Sequence, residues 1–242
     1  MGKENFMHEL LKLTFHKYCI AYIDILGAKK YINDNPENFL NDLKAIHEEA
    51  LLNARMSEII SQRKFFVKIF SDNILVGAQI VGNNSSQKDR IEEIIRIAGN
   101  VYNKILQLGY LARGAITIGN LCENQTFVYG KALVEAVEME EKLAIYPRII
   151  AKKEIRDFLP SFFINERDYF YTLNTFPFFG LYKSENYKTI LLDMLSKYKD
   201  DCKIKQKIIW TINRFNENYI KTNSKSKTLH LITENEINER LI

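Results

Sequence analysis

The sequence predicts an α+β fold with a ferredoxin-like core, in which helices cover one face of an antiparallel sheet. Strand and helix signals alternate through residues 16–151 in the order β-α-β-β-α-β, which is the split arrangement of that fold. Two short apolar runs, residues 22–27 and 68–76, each carry one aspartate, Asp24 and Asp72. A carboxylate is costly in such a strand unless something compensates it.

The first third of the chain supplies four of the predicted elements. Residues 16–25 are rich in β-branched and aromatic side chains and stop at Gly27, which predicts a strand and a turn. Residues 36–61 place apolar side chains at helical spacing. Residues 65–79 predict a hairpin that turns near Asp72, because Asp and Asn side chains satisfy backbone groups in turns.

The next segment repeats the pattern. An amphipathic helix is predicted between Ile91 and Leu108, and residues 112–120 and 125–129 predict a second strand pair. A third helix follows Gly130, and the positions that share its predicted buried face are Leu133, Ala136, Val137, Glu140 and Leu143. Residues 148–151 predict a short buried strand.

The pattern changes beyond Pro160. An aromatic stretch covers residues 158–182, and a helical segment is predicted from residue 188 to about residue 223. Since no linker, repeat or low-complexity tract interrupts the chain, we expect a core of residues 1–160 with residues 161–242 packed on it as a C-terminal extension.

Composition limits the class of protein. The 242 residues, 46% of them hydrophobic, can bury a substantial core. The net charge of +4 suits attraction of a small anion and does not indicate nucleic-acid binding. No apolar run reaches about 18 residues and the start lacks a signal peptide's apolar centre, so we expect a cytoplasmic protein without a membrane segment. Cys19, Cys122 and Cys202 are scattered and support neither a disulfide framework nor a zinc site.

Asp24 and Asp72 are the candidate metal ligands. Two carboxylates on neighbouring strands repel each other unless a cation lies between them. Hard oxygen ligands suit Mg²⁺ or Mn²⁺. The alternative is that Asp72 only caps a turn and Asp24 is an unrelated residue at a strand end.

The turn after the first strand is a candidate phosphate site. Leu26, Gly27 and Ala28 lead toward a helix, where backbone N–H groups could hold the phosphates of a nucleotide. Lys29 and Lys30 follow directly. Gly27 by itself indicates only a turn.

Four segments resemble the class III nucleotidyl cyclases in order and approximate spacing. They are residues 23–27, 68–72, 113–119 and 129–133. Within that superfamily, the chain is most similar to the short bacterial pyrimidine nucleotide cyclases of the Pycsar anti-phage systems. The resemblance implies that UTP or CTP is converted to its 3′,5′-cyclic monophosphate and pyrophosphate, and that residues 1–160 form the catalytic core.

The resemblance also implies a metal set and partners. Asp24, Asp72 and the backbone carbonyl of Ile25 would hold two divalent ions, Mg²⁺ or Mn²⁺. The metal-binding strands of one subunit would face the base-contacting strands of another, in a homodimer with active sites at its interface. A separate effector that responds to the cyclic nucleotide is expected.

Two positions face the base according to the resemblance. Lys68 stands where cyclases place a base-selecting side chain, and Phe127 stands where adenylate cyclases tend to have an aspartate that accepts from the adenine amine. Loss of that acceptor disfavours adenine and leaves an aromatic wall. We therefore expect a pyrimidine, with uracil slightly favoured because it has no amine.

The chain departs from the family at two positions. Val134 and Glu138 replace the asparagine that orients the ribose and the arginine that stabilises the transition state. Loss of that arginine ordinarily costs several powers of ten in rate. The candidate replacements are Arg113, Lys131 and Arg148, with Lys131 also a candidate nucleotide contact. Arg113 has the best context, although it could simply form an ion pair with Glu135 or Glu138.

Two other functions remain open on the sequence. The same aspartates would serve a purine cyclase or another phosphotransferase. Alternatively, Val134 and Glu138 could mark a catalytically inactive module that binds a nucleotide or partner.

Overall fold

The predicted ferredoxin-like core is confirmed by the computed structural model, in which four antiparallel strands follow the spatial order β2-β3-β1-β4. These strands are β1 (His16–Ile25), β2 (Phe66–Phe70), β3 (Asn73–Gln79) and β4 (Ala112–Glu123). The structure describes residues 14–124, 126–166, 168, 170–175, 184–222 and 231–241.

Helices cover one face of this sheet, as predicted. They are α1 (Ala28–Asp34), α2 (Pro36–Ser61) and α3 (Asn84–Gln107). The Asn83 side chain accepts a hydrogen bond from the Ser86 N–H at 3.0 Å and so caps α3. Alternate β1 side chains point to the helices because successive residues of a strand face opposite sides, and the buried residues on the helical side are Cys19, Ala21, Ile23 and Ile25.

The opposite face of the sheet is partly covered, whereas the sequence suggested that it stays open. Helix α4 (Lys131–Leu143) lies over β1 and β4, where Ala132 and Ala136 are fully buried. The Thr117 hydroxyl donates to the Ala132 carbonyl at 2.8 Å and fixes the start of the helix. The apolar stripe of α4 requires burial, and this face supplies it.

The sheet continues beyond the core. Strand β5 (Val128–Tyr129) pairs with the end of β4, and β6 (Ile149–Ala151) pairs with β4 in parallel. The sheet is therefore mixed rather than wholly antiparallel as predicted, because α4 forms a crossover connection that returns the chain in the same direction. Strand β8 (Tyr171–Leu173) pairs antiparallel with β6, and β7 (Phe163–Asn165) pairs antiparallel with β8, so the sheet continues in the order β6-β8-β7.

The helical part of the extension packs on the core. A short helix, α5 (Lys153–Phe158), follows β6, and α6 (Ser184–Lys197), α7 (Cys202–Thr222) and α8 (Glu234–Leu241) follow the sheet. The helical segment predicted from residue 188 to about 223 is thus two helices. The Asp201 carboxylate accepts from the Lys203 and Ile204 N–H groups at 3.1 and 3.0 Å and starts α7 anew.

Apolar contacts join these helices to the core. The buried cluster that spans both parts includes Leu106, Leu111, Leu191, Leu195, Ile208, Ile212 and Phe215. Trp210 of α7 stacks on Tyr146, with ring centroids 5.3 Å apart. None of the described helices has the length and apolar character needed to cross a membrane.

Candidate active site

Asp24 and Asp72 lie at adjoining ends of β1 and of the β2–β3 turn. Asp24 pairs with Asn73 in the β1–β3 register, and the Ile25 N–H donates to the Asp72 carbonyl at 3.2 Å. Burial raises the pKa of the Asp24 carboxyl above its usual range, the Arg113 guanidinium opposes this, and the charge of Asp72 adds to it. The fold therefore places these two residues, which are 48 positions apart in sequence, at adjoining strand ends.

Arg113 lies between two carboxylates. It is the β4 partner of Asp24 in register, and its Nε is 3.3 Å from Asp24 Oδ2. The same Nε forms an ion pair with Glu140 of α4, whose side chain is only 6% exposed. Burial raises the pKa of Glu140 to about 7, with Arg113 opposing and Asp24 adding to the rise. Arg113 thus pairs with neither Glu135 nor Glu138, the two partners considered from sequence.

Two further polar groups adjoin this cluster. The Tyr22 hydroxyl donates to Asn73 Oδ1 at 2.5 Å, and burial, with the carboxylates of Glu140, Asp24 and Asp72, raises its pKa, so that it remains a neutral donor. Lys207 of α7 interacts electrostatically with the same cluster: burial lowers its pKa, the Arg113 guanidinium lowers it further, and Asp24 opposes the change. The C-terminal extension therefore contributes a charged side chain that interacts with Asp24 and Arg113.

The predicted phosphate turn forms at the start of α1. Gly27 has φ 79°, a left-handed conformation that glycine adopts without strain. The Leu26 N–H is used within the fold, since it donates to the Leu111 carbonyl at 2.8 Å. The N–H groups of Ala28 and Lys29 belong to the first helical turn, where no earlier helical carbonyl can accept them. They are the candidate phosphate contacts of this turn.

The predicted base contacts lie near the β4–β5 connection. Lys68 Nζ donates to the Asn124 carbonyl at 2.7 Å and is 3.5 Å from Glu123 Oε1. The Asn124 side chain accepts from the Phe127 N–H at 3.0 Å, and Phe127 is 40% exposed. Lys68 and Phe127 therefore contact the same short segment, although β2 and the β4–β5 connection are distant in sequence.

The other cations considered from sequence lie in different surroundings. Lys131 is exposed at the first turn of α4. Arg148 is buried, donating to Asp168 Oδ2 at 2.5 Å and to the Leu143 carbonyl at 3.2 Å, so it stabilises the fold. Val134 and Glu138 lie on the exposed side of α4.

Sequence reasoning missed three charged residues of this face: Glu140, Glu123 and Lys207. For Glu140 a signal existed, because a glutamate at an apolar position of a helix stripe requires a buried partner. Glu123 and Lys207 gave no such signal, since their positions depend on how β4 and α7 pack against distant strands.

The donor set suits a metal that is shared with a nucleotide. Among the described residues, no three His, Cys, Asp or Glu side chains converge as a metal site. The available protein ligands are the carboxylates of Asp24 and Asp72 and the backbone carbonyl of Ile25. Mg²⁺ commonly binds one or two carboxylates and takes its other ligands from substrate phosphates and water. The site therefore fits a metal–nucleotide complex and does not fit an all-protein cage.

Comparison with known proteins bears on the fold alone. The chain matches no family model and has no significant match among curated proteins. A bacterial light-regulated adenylyl cyclase is 14% identical with TM-score 0.45, over 75% of this chain and 100% of the other.

Two further solved structures are similar. The guanylyl cyclase domain of a fusion protein from the aquatic fungus Blastocladiella emersonii is 13% identical with TM-score 0.46, over 67% of this chain and 97% of the other. An adenylate/guanylate cyclase/hydrolase from Silicibacter pomeroyi is 15% identical with TM-score 0.42, over 66% and 96%. Because these sequence identities and TM-scores are low, neither the activity nor the substrate of these proteins is assigned to this chain.

Proposed function

We propose that the protein is a nucleotidyl cyclase that converts a pyrimidine nucleoside triphosphate, UTP or CTP, to its 3′,5′-cyclic monophosphate and pyrophosphate. The observation that carries this proposal is the convergence of Asp24 and Asp72 at adjoining strand ends, with the Arg113 guanidinium beside them. The segments that resemble class III cyclases contain all three residues. The cyclic product would act as a second messenger in anti-phage defence, read by a separate effector in the cytoplasm, where nucleoside triphosphates are available.

The chain's own groups divide the work of cyclisation. Asp24, Asp72 and the Ile25 carbonyl would hold two divalent ions, Mg²⁺ or Mn²⁺, which activate the 3′-hydroxyl and neutralise the departing pyrophosphate when bound. The first-turn N–H groups of α1 would hold the terminal phosphates. Arg113 would donate to the α-phosphate oxygens, where negative charge develops in the transition state.

Arg113 has a second role when no nucleotide is bound. Its guanidinium compensates Asp24 and the buried Glu140, which would otherwise repel each other. With nucleotide and cations bound, Asp24 would serve as a metal ligand, and Glu140 would keep the Arg113 guanidinium at the site. Arg113 of β4 would thus take over the role of the family's transition-state arginine, whose position on the exposed side of α4 is occupied here by Glu138.

A homodimer would complete the site. Large apolar side chains are exposed around β5 and α4, namely Phe15, Phe127, Tyr129 and Val134, and the Phe15 and Tyr129 rings lie 6.2 Å apart. Such a patch suits burial against a second copy. The metal aspartates of one copy would then serve the base-contacting residues of its partner.

Heterodimers provide a test of this shared site. Asp24→Asn and Lys68→Glu should each be inactive alone, whereas a mixture should recover up to about a quarter of wild-type turnover. The reason is that half of the dimers are mixed and one of their two sites is intact. Sedimentation should show a dimer, and a monomeric mass without recovery of activity would contradict the shared site.

Incubation with each of the four ribonucleoside triphosphates and Mn²⁺, followed by mass spectrometry of the products, tests the function itself. We expect UTP and CTP together to exceed ATP and GTP by at least about tenfold in turnover, equivalent to about 1.4 kcal/mol. Comparable turnover of ATP would contradict the pyrimidine assignment. The second candidate function is a catalytically inactive module that binds a nucleotide, because Val134 and Glu138 stand where the family has its ribose-orienting asparagine and its arginine. Absence of any cyclic product would favour this second candidate.

A further inference from the structure

We propose that Glu123 and Lys68 together read the nucleobase, and that they select an edge with an amine beside an unprotonated ring nitrogen. Among pyrimidines this edge belongs to cytosine. The inference rests on the proposed nucleotide site and goes further by naming the base and the residue that accepts from it.

The two side chains form a donor and an acceptor at one location. Lys68 Nζ is 3.5 Å from Glu123 Oε1, and the side chains are 24% and 21% exposed, so both are partly desolvated yet accessible. The contact of Lys68 with the Asn124 carbonyl fixes the direction of its stem. An ammonium carries three N–H donors and an ionised carboxylate only acceptors. A base edge can therefore meet both groups at neighbouring atoms.

A cavity of about 490 Å³ adjoins Glu123, although Lys68 does not line it. Glu123 lines it together with Tyr18, Phe66 and Gly77, and the Tyr18 and Phe66 rings lie 5.9 Å apart. A Cβ on Gly77 would come within 2.4 Å of the Phe66 ring, so glycine is what lets this ring lie flat on the sheet. The volume is within the range of small-molecule sites, and the aromatic wall offers a surface for a planar ring.

The charges decide which bases fit. The cytosine amine would donate to the Glu123 carboxylate, and ring nitrogen N3 would accept from the Lys68 ammonium. Uracil has the opposite pattern, because its O4 would face the carboxylate and its N3–H would face the ammonium. Each mismatched contact leaves a partly buried polar group unpaired, which is the strongest basis for discrimination between similar ligands.

This assignment reverses the slight preference for uracil that the sequence suggested. That preference depended on Phe127, which offers no acceptor for an amine. Glu123 supplies the acceptor from β4 instead. Adenine carries the same edge at N1 and its amine, so the experiment separates CTP from ATP as well as from UTP.

The test compares kcat/KM for CTP, UTP, ATP and GTP in the wild type, in Glu123→Gln and in Glu92→Gln. Glu92 is a matched control, since it forms an ion pair with Arg96 on α3, on the other side of the sheet. We expect wild type to prefer CTP over UTP by at least about tenfold. Glu123→Gln should reduce that ratio at least about tenfold, because an amide can donate to O4 of uracil. Glu92→Gln should leave it unchanged.

Binding of α,β-methylene CTP and UTP, measured by calorimetry, separates failure of this inference from failure of the proposed function. If no triphosphate is cyclised but the CTP analogue binds better and Glu123→Gln removes the difference, the base-reading pair is supported and the cyclase assignment is wrong. Preference for ATP over UTP with little CTP turnover would support recognition of an amine beside an unprotonated ring nitrogen, and it would contradict the pyrimidine assignment. A wild type that prefers UTP, or a ratio unchanged in Glu123→Gln, would overturn the inference.

Discussion

Replacing Asp24 or Asp72 with asparagine should lower cyclic nucleotide formation at least about 10³-fold, because each change removes a carboxylate ligand and leaves the remaining oxygen a weak donor. The substitution preserves side-chain shape, so the fold should be retained. Burial already disfavours the charge of Asp24, and Asp24→Asn should therefore not lower the free energy of unfolding measured in urea.

A matched control for these variants is Asp89→Asn on the exposed side of α3, which should leave turnover at the wild-type level. A second readout does not depend on catalysis. In the wild type, Mn²⁺ and a non-cleavable triphosphate added together should raise the melting temperature more than the sum of each alone, because the donor set needs phosphate oxygens to complete the metal's ligands. Asp24→Asn should abolish this excess, and full turnover in either asparagine variant would eliminate the aspartates as the metal site.

Replacing Arg113 with methionine should lower kcat about 10³-fold, the effect expected when a cation that stabilises a transferring phosphoryl group is removed. Binding of a non-cleavable triphosphate should change much less if, as proposed, the first-turn N–H groups of α1 hold the terminal phosphates. The single variant should also lose stability of about 3 kcal/mol, because Glu140 would remain buried without its partner.

The double variant Arg113→Met with Glu140→Met separates catalysis from stability. Replacing both members of a buried ion pair with apolar side chains of similar volume is often neutral, so the free energy of unfolding should recover most of the loss. The remainder reflects Asp24, which still lacks its arginine partner. The turnover should not return. The control is Arg96→Met, which removes an exposed ion pair on α3. Recovery of turnover in the double variant would exclude Arg113, and Lys207 would become the cation to test.

The site combines residues of both parts of the chain. The aspartates, Arg113 and Glu140 belong to residues 1–160, whereas Lys207 comes from α7, which is anchored by Trp210 on Tyr146 and by the cluster around Leu111. The extension therefore does more than bury apolar surface. It contributes Lys207, which interacts electrostatically with Asp24 and Arg113.

Much of the core could be predicted from the sequence because its signals are local. The β-branched and aromatic content of residues 16–25, the Asp-Asn turn and the helical spacing of residues 36–61 are local signals. The strand order of the core follows from the split arrangement. Asp24 and Asp72 stood out for the same reason, since a charge within an apolar strand is visible without a structure. The break between α6 and α7 was missed because neither glycine nor proline marks it.

The sequence by itself determined the ferredoxin-like core and the two candidate metal ligands, because strand patterning and isolated carboxylates are properties of short segments. Only the tertiary structure decided the charge partners: Arg113 with Glu140, and Lys68 with Glu123. These pairs join elements 27 and 55 residues apart, and which charges meet depends on the crossover of α4 and on the reach of β4 beyond the core. The choice between uracil and cytosine belongs to this second group, because it depends on an acceptor that no local pattern reveals.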